Sequence, residues 1–252
     1  MVSASLLAIP AVHAGSTLVG GMGFCMTYSP PCDRAVAVNQ PNEIFVSVES
    51  NPPIGGIPPT GTVSFSVSCP TGTDGQCGSF TAGSQGVFVP PNSCQLIPQF
   101  GFTNDGHCSI AYTANPGTEG THGFVMTYNG DAIYASMSVT GAMDVIQRST
   151  STSISCMAST LTDHHSTPCT AVVTDTSPGT PITPSGTFAW KSSGKGTFGP
   201  NPCTLSGAGG TATCIVTFTA APGKSLPQTI TGTYSGDTDH SGSSGTTPIS
   251  TP

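Results

Sequence analysis

Three groups of residues in this 252-residue chain have types and spacings that could do chemistry. Asp237-Thr-Asp239-His-Ser241-Gly242 begins as a calcium loop does, with Asp237, Asp239 and Ser241 offering oxygens at alternate positions. The twelfth position of such a loop wants a bidentate Glu, but Pro248 stands there. The corresponding stretch Asp131-Ala-Ile-Tyr134 has no second acid, so a polar turn is the expectation at both places. Asp163-His164-His165 offers a carboxylate and two imidazoles. Adjacent histidines on a strand face opposite sides, and no third ligand is identifiable, so a solvated loop is expected. No Gly-x-Ser-x-Gly elbow is present, nor any recognisable glycosidase carboxylate pair. The residues point away from an enzyme, with no catalytic group and no cofactor.

The third group is the cysteines. Ten of them fall in close pairs: Cys25 with Cys32, Cys69 with Cys77, Cys94 with Cys108, Cys156 with Cys169, and Cys203 with Cys214. Zinc sites favour Cys-x-x-Cys spacing, which is absent. Short-loop disulfides in an oxidising compartment are the expectation, and the chain is read as exported. Each closed loop stabilises by about 2–3 kcal/mol in the chain-entropy account.

The elements that must carry these residues are strands. Only 7% of residues are charged, while Gly (32) and Pro (23) are abundant. Apolar and polar residues alternate in Thr62–Val67, Ile110–Thr113 and Ile215–Phe218, and no stretch has helical period. Cys203 to Ala220 shows the pattern most clearly: two alternating runs flank Gly-Ala-Gly-Gly, with Cys203 and Cys214 on either side. It reads as a β-hairpin stapled near its turn. Cys94 and Cys108 flank a longer version, with an insertion holding Phe100 and Phe102. Net charge is −7 and the five bases are scattered singly, which excludes a nucleic-acid surface. No apolar run reaches the length of a membrane span.

In chain order, residues 1–14 read as an apolar tail or the remnant of a secretory signal ending in Ala-Val-His-Ala. Residues 15–24 read either as the first edge strand of domain one or as a donor strand completing a neighbour's sheet. Leu18, Val19, Met22 and Phe24 are the candidate assembly residues. Domain one extends over 15–146. Asp144–Ser151 is expected to be a polar hinge, and domain two covers 147–252. Seven strands in about 100 residues is the count of an immunoglobulin-like sandwich.

The halves repeat in order. Pro59-Thr-Gly-Thr-Val-Ser-Phe65 matches Pro184-Ser-Gly-Thr-Phe-Ala-Trp190, Cys108–Ala114 matches Cys214–Ala220, and Tyr128-Asn-Gly-Asp131 matches Tyr234-Ser-Gly-Asp237. On these motifs the chain resembles the Ig-like repeat modules of bacterial and archaeal cell-surface proteins. The likeness covers Ser149 to Thr251 almost completely and domain one more loosely. It implies two tandem immunoglobulin-like β-sandwiches, an all-β fold. Antibody domains carry one inter-sheet disulfide. Here each staple is expected to join adjacent strands, with Trp190 packing the second core.

Such modules serve as stalks, adhesins, filament subunits and enzyme appendages. The leading expectation is an extracellular subunit of a pilus-like surface filament, self-associating head to tail by strand complementation. The alternatives are a monomeric adhesin or carbohydrate-binding stalk, with an aromatic platform at Phe100, Phe102 and Tyr134, and an accessory region of a larger secreted protein. Glycans or a host surface are the partners these imply. Few charges guard the sheet edges, and no Asn-x-Ser/Thr sequon exists, so any glycan shield is expected to be O-linked.

Overall fold

The computed structural model describes residues 16–21, 35–50, 57–98, 104–162, 164–222 and 227–250. Among them the chain is all-β, interrupted by one 3-10 turn at Asp74–Gln76. Two compact units are present: the first reaches Val145, and the second takes Ile146 onward together with Ala37–Gln40. Each is an immunoglobulin-like sandwich of two sheets.

The first unit contains β1 (Ser16–Gly21), β2 (Ala35–Ala37), β3 (Pro41–Ser50), β4 (Thr62–Cys69), β5 (Gly72–Thr73), β6 (Gly78–Ala82), β7 (Val87–Val89), β8 (Ser93–Gln95), β9 (Ile97–Pro98), β10 (Asp105–Ala114), β11 (Gly120–Tyr128) and β12 (Met137–Ile146). One sheet runs β1-β3-β10-β6, with β9 also on β10. The other runs β2-β12-β11-β4-β8-β7, with β5 on β4. The two-residue alternation decides which face is core: β3 buries Ile44, Val46 and Val48, and β4 buries Val63, Phe65 and Val67. Between the sheets, Phe80 and Phe124 flank Tyr112 with ring centroids 5.1 and 5.0 Å away.

The second unit contains β13 (Thr150–Cys156), β14 (Ser166–Asp175), β15 (Thr187–Ser192), β16 (Gly196–Gly199), β17 (Cys203–Thr204), β18 (Ser206–Ala208), β19 (Thr211–Ala220), β20 (Gln228–Gly236) and β21 (Ser241–Ile249). Its sheets run β13-β14-β19-β16, with β18 on β19, and β17-β15-β20-β21. All seven strands expected in this half are present; β16 and β18 are short additions.

Four disulfides tie the described residues, in the nearest-neighbour pairing: Cys69–Cys77, Cys94–Cys108, Cys156–Cys169 and Cys203–Cys214. The fifth expected bond is not among them: Cys25 and Cys32 both lie outside the described residues. Only Cys156–Cys169 joins strands paired side by side, β13 and β14, where the two cysteines face each other in register. The expectation of adjacent-strand staples fails for two others. Cys94 sits on β8 in one sheet and Cys108 on β10 in the other; Cys203 on β17 and Cys214 on β19 repeat that arrangement. In each repeat the chain changes sheet within a few residues of the first cysteine. The true hairpin partner of the long strand is then the short strand after it, β9 or β18. Both bonds therefore cross the core, with Cα atoms 6.0 Å apart.

The boundary between the two units falls within the expected Asp144–Ser151 passage, but that passage is not simply an exposed polar link. Strand β12 continues through Ile146, β13 begins at Thr150, and Arg148 between them is fully buried. Its guanidinium meets acceptors on every side, which is what makes burial of the charge tolerable.

Candidate functional site

The repeated motifs meet in space and form one device. In the first unit Asp131 Oδ2 accepts both the backbone N–H and the hydroxyl of Thr60, each at 2.8 Å. Its Oδ1 accepts the amides of Ile133 and Tyr134 at 2.8 and 2.7 Å. In the second unit Asp237 Oδ2 accepts the amide and hydroxyl of Ser185, each at 2.8 Å. Asp237 Oδ1 takes the amides of Asp239 and His240 at 3.0 and 2.8 Å, and His240 Nδ1 at 2.8 Å. The Pro-[Thr/Ser]-Gly turn that opens one strand is thus clamped by the acid that ends another. Burial alone would raise the Asp131 carboxyl, but the bonds from Thr60, Tyr134 and Ile133 outweigh it and hold it low. At Asp237 the same contest, won by Ser185 and His240, brings the carboxyl down to about 2. The hydroxyls of Tyr128 and Tyr234 are buried with no partner in hydrogen-bond geometry; burial above all pushes both phenols up, and the nearby Asp131 or Asp237 adds to it.

This geometry bears on the calcium candidates. The oxygens of Asp237 point at N–H and O–H donors, and Ser241 Oγ donates to the Arg148 carbonyl at 3.1 Å. Among the described residues no group of three or more His, Cys, Asp or Glu is arranged to hold a metal ion. Of the Asp163-His164-His165 group, His164 and His165 are exposed in a turn and Asp163 lies outside the described residues. His165 Nδ1 is bonded to Thr162 Oγ1 at 2.6 Å.

A buried polar cluster adjoins the second clamp. Arg148 Nε donates to Asp175 Oδ2 at 2.5 Å, and its terminal nitrogens donate to the carbonyls of Val38, Ser177 and Pro178. Asp175 also accepts the amides of Ser177 and Ile182. Burial works to raise the Asp175 carboxyl; the bonds from Arg148, Ile182 and Ser177 prevail and lower it. His240 Nε2 meets the Ile182 carbonyl at 3.1 Å and stands 3.7 Å from Asp175 Oδ2. A second buried histidine, His122, is organised differently. Its Nε2 faces the Thr118 carbonyl at 2.6 Å, so that nitrogen donates and Nδ1 accepts the Tyr112 hydroxyl at 2.8 Å. Burial first of all favours the neutral imidazole, against a smaller opposing pull from Thr118.

Of the candidate assembly residues, Leu18 and Val19 lie on β1, which pairs antiparallel with β3 of the same chain. Leu18 stands opposite Val48, and Val19 opposite Ser47. Met22 and Phe24 lie outside the described residues, as do Phe100 and Phe102. Tyr134 belongs to no exposed platform: it is 1% exposed and its hydroxyl donates to the Ile57 carbonyl at 2.5 Å. Trp190 packs the second core as expected, and its indole N–H points at Cys203 Sγ at 3.1 Å. A buried tryptophan against an inter-sheet disulfide is also a mark of antibody domains.

Sequence reasoning missed Asn92 and Asn201. Each exchanges two bonds with the strand residue beside it, Asn92 with Phe65 and Asn201 with Trp190. The repeated Pro91-Asn-Ser-Cys94 and Pro200-Asn-Pro-Cys203 was the available signal.

No known protein family matches the chain, and no curated protein sequence does. Among solved structures it is similar to the D0-D1 domain of intimin, at 13% identity and a TM-score of 0.28, over 87% of this chain and 95% of that one. The adhesin InvE of Yersinia pseudotuberculosis follows at 12% identity and 0.35, over 93% of this chain and 58% of that one. The Escherichia coli adhesin FdeC gives 12% and 0.30, over 94% and 63%. Scores this low decide nothing about function.

Proposed function

We propose that this chain is an extracellular structural subunit that assembles head to tail into a surface filament by exchanging β1. The carrying observation is the position of that strand. Ser16–Gly21 forms the edge of its sheet and, among the described strands, pairs with β3 alone, in a six-residue register from Ser16↔Ser50 to Gly21↔Phe45. In a single chain the place beside β3 is filled from within. A neighbour's β1 fits the same place by the same register, and each such heterologous contact leaves a free end for the next. Residues 22–34 separate β1 from β2; fully extended, they reach about 45 Å, enough to serve another copy.

Other features support an exported structural role. Cross-core disulfides suit an oxidising, harsh environment. Strands β20 and β21 carry no charged side chain, so none on the edge strand β21 opposes edge association. Exposed Thr229, Thr233, Ser244 and Thr246 on these strands would be acceptors for an O-linked shield. The reading as a monomeric adhesin or stalk loses Tyr134 from its aromatic platform and needs another binding surface.

The test pairs Leu18→Cys with Val48→Cys, which face each other across β1 and β3. Oxidised fibres should give a ladder of covalent multimers on a non-reducing gel, and a chain lacking residues 1–24 should form no fibres in negative stain. Oxidation that yields only internally linked monomers, with full-length material monomeric by size-exclusion chromatography, overturns the proposal.

A further inference from the structure

We propose that the groove between the Asp74–Gln76 turn and the Pro91–Asn92 turn of the first unit binds a neutral pyranose unit of a glycan. The cavity holds ≈ 400 Å³, within the usual range for small-ligand sites. Its wall is the half-buried ring of Phe80, backed by Tyr112 at 5.1 Å and Phe65 at 6.2 Å between centroids, with Pro91 beside it. The ring gives the C–H face of a sugar an apolar surface whose own position is fixed by core packing.

The rim supplies both kinds of hydrogen-bonding partner. Asp74 Oδ1 takes the Val67 amide at 3.0 Å, which leaves Oδ2 as a charged acceptor. Asn92 spends one N–H on the Phe65 carbonyl at 2.5 Å, leaving its amide oxygen and second N–H. The exposed Ser79 hydroxyl both donates and accepts. An anion would meet the Asp74 carboxylate with no base in the lining, and a simple cation would use none of the donors. A polyol with one apolar face uses every group present, and a carboxylate accepting two hydroxyls makes strong, charge-assisted bonds.

The rim is also pre-organised. Cys69–Cys77 closes the turn, the Cys77 amide donates to the Asp74 carbonyl, and Asn115 Nδ2 donates to the carbonyls of Gly75 and Gln76. Gly78 lets this turn lie against the core, since a Cβ there would run into the Thr113 carbonyl and the Tyr112 hydroxyl. The Phe65–Asn92 pair recurs in the second unit as Trp190–Asn201, but that repeat has no cysteine pair answering Cys69 and Cys77. The groove therefore sits where the first repeat departs from the duplication, at a feature that stalk geometry alone does not require.

The site stands whether the chain forms fibres or works singly, and its test reads contact rather than assembly. Saturation-transfer NMR on the full chain, with the methyl glycosides of glucose, galactose, mannose and N-acetylglucosamine as probes, works on monomers and large assemblies alike. At least one glycoside should receive saturation, with a millimolar dissociation constant. Asp74→Asn keeps an oxygen for the Val67 amide and suits the positive φ of 40°; it should weaken binding about tenfold. Gly75→Gln, placed where a Cβ meets nothing within 4 Å, should block the groove without disturbing the fold. Transfer to none of the four glycosides overturns the proposal. So does transfer that both variants leave unchanged, or displacement of every bound glycoside by methylammonium at equal concentration.

Discussion

Tyr134 and His240 stand at the same position of the two repeats and make the same bond with different chemistry. Tyr134 Oη donates to the Ile57 carbonyl, and His240 Nε2 to the Ile182 carbonyl, two residues before the proline that opens each strand motif. The amide of each also donates to the clamping acid, Asp131 or Asp237. Histidine adds a third bond, from Nδ1 to Asp237 Oδ1. Both of its ring nitrogens thus lie against acceptors, whereas the tyrosine reaches only one.

Replacing His240 therefore separates the two jobs. His240→Ala empties a buried site, removes the ring donor to Asp237 Oδ1 and strands the Ile182 carbonyl; it should destabilise the second unit by about 2–4 kcal/mol. His240→Tyr copies the first repeat, restores the Ile182 bond and should recover about half of that loss. Urea unfolding followed by Trp190, the only tryptophan, reads this unit alone. Equal destabilisation by both variants would show that the carbonyl bond contributes nothing.

The clamps also set an acid limit. Asp237 titrates at about 2 in the folded chain, below its ordinary 3.8, and Asp175 is lowered too. A carboxyl with a depressed folded pKa binds protons first in the unfolded chain, so its contribution is present above the unfolded value and is lost as pH falls through the folded one. Stability of the second unit should fall between about pH 4 and pH 2, by roughly 2 kcal/mol for Asp237 alone. In Asp237→Asn the neutral-pH stability drops and this acid slope becomes shallower. An unchanged slope would mean that other carboxyls set it.

The Cys203–Cys214 bond should be visible through its neighbour. A disulfide in contact with an indole quenches it, and the Trp190 N–H lies 3.1 Å from Cys203 Sγ. Cys203→Ala with Cys214→Ala should brighten the emission while leaving it blue-shifted, because Trp190 remains buried. The same pair should lower stability by about 3 kcal/mol for a loop of this length. A red-shifted spectrum would show instead that the core opens without the bond.

How much of this was legible follows from what touches what. The strand motifs were legible because β-sandwich alternation and Gly turns are local signals. That Thr60 and Asp131, or Ser185 and Asp237, form one clamp was not, since 71 and 52 residues separate the partners and each half has a sufficient local reading. The cross-core staples were misread for a related reason. Closeness of two cysteines in sequence suggests neighbouring strands, whereas Leu96 and Leu205 follow β8 and β17 at the point where the chain changes sheet. The groove at Phe80 depends on a turn closed by Cys69–Cys77, which spacing identified as a loop without showing what it walls.

Arg148 was the least legible residue, because three of its four acceptor groups are backbone carbonyls that no side-chain pattern announces. Its ion pair with Asp175 is fully buried, and removing one partner of such a pair is far more costly than removing both. Arg148→Met should destabilise the second unit by about 3–5 kcal/mol, since Asp175 is left buried and charged without its guanidinium partner. Adding Asp175→Asn keeps acceptor oxygen for the Ile182 or Ser177 amide and removes the stranded charge, so the double variant should be more stable than Arg148→Met by about 1–2 kcal/mol. Urea unfolding on Trp190 fluorescence measures both. A double variant less stable than Arg148→Met would show that the carboxylate is needed for its amide partners and that its pairing with Arg148 is secondary.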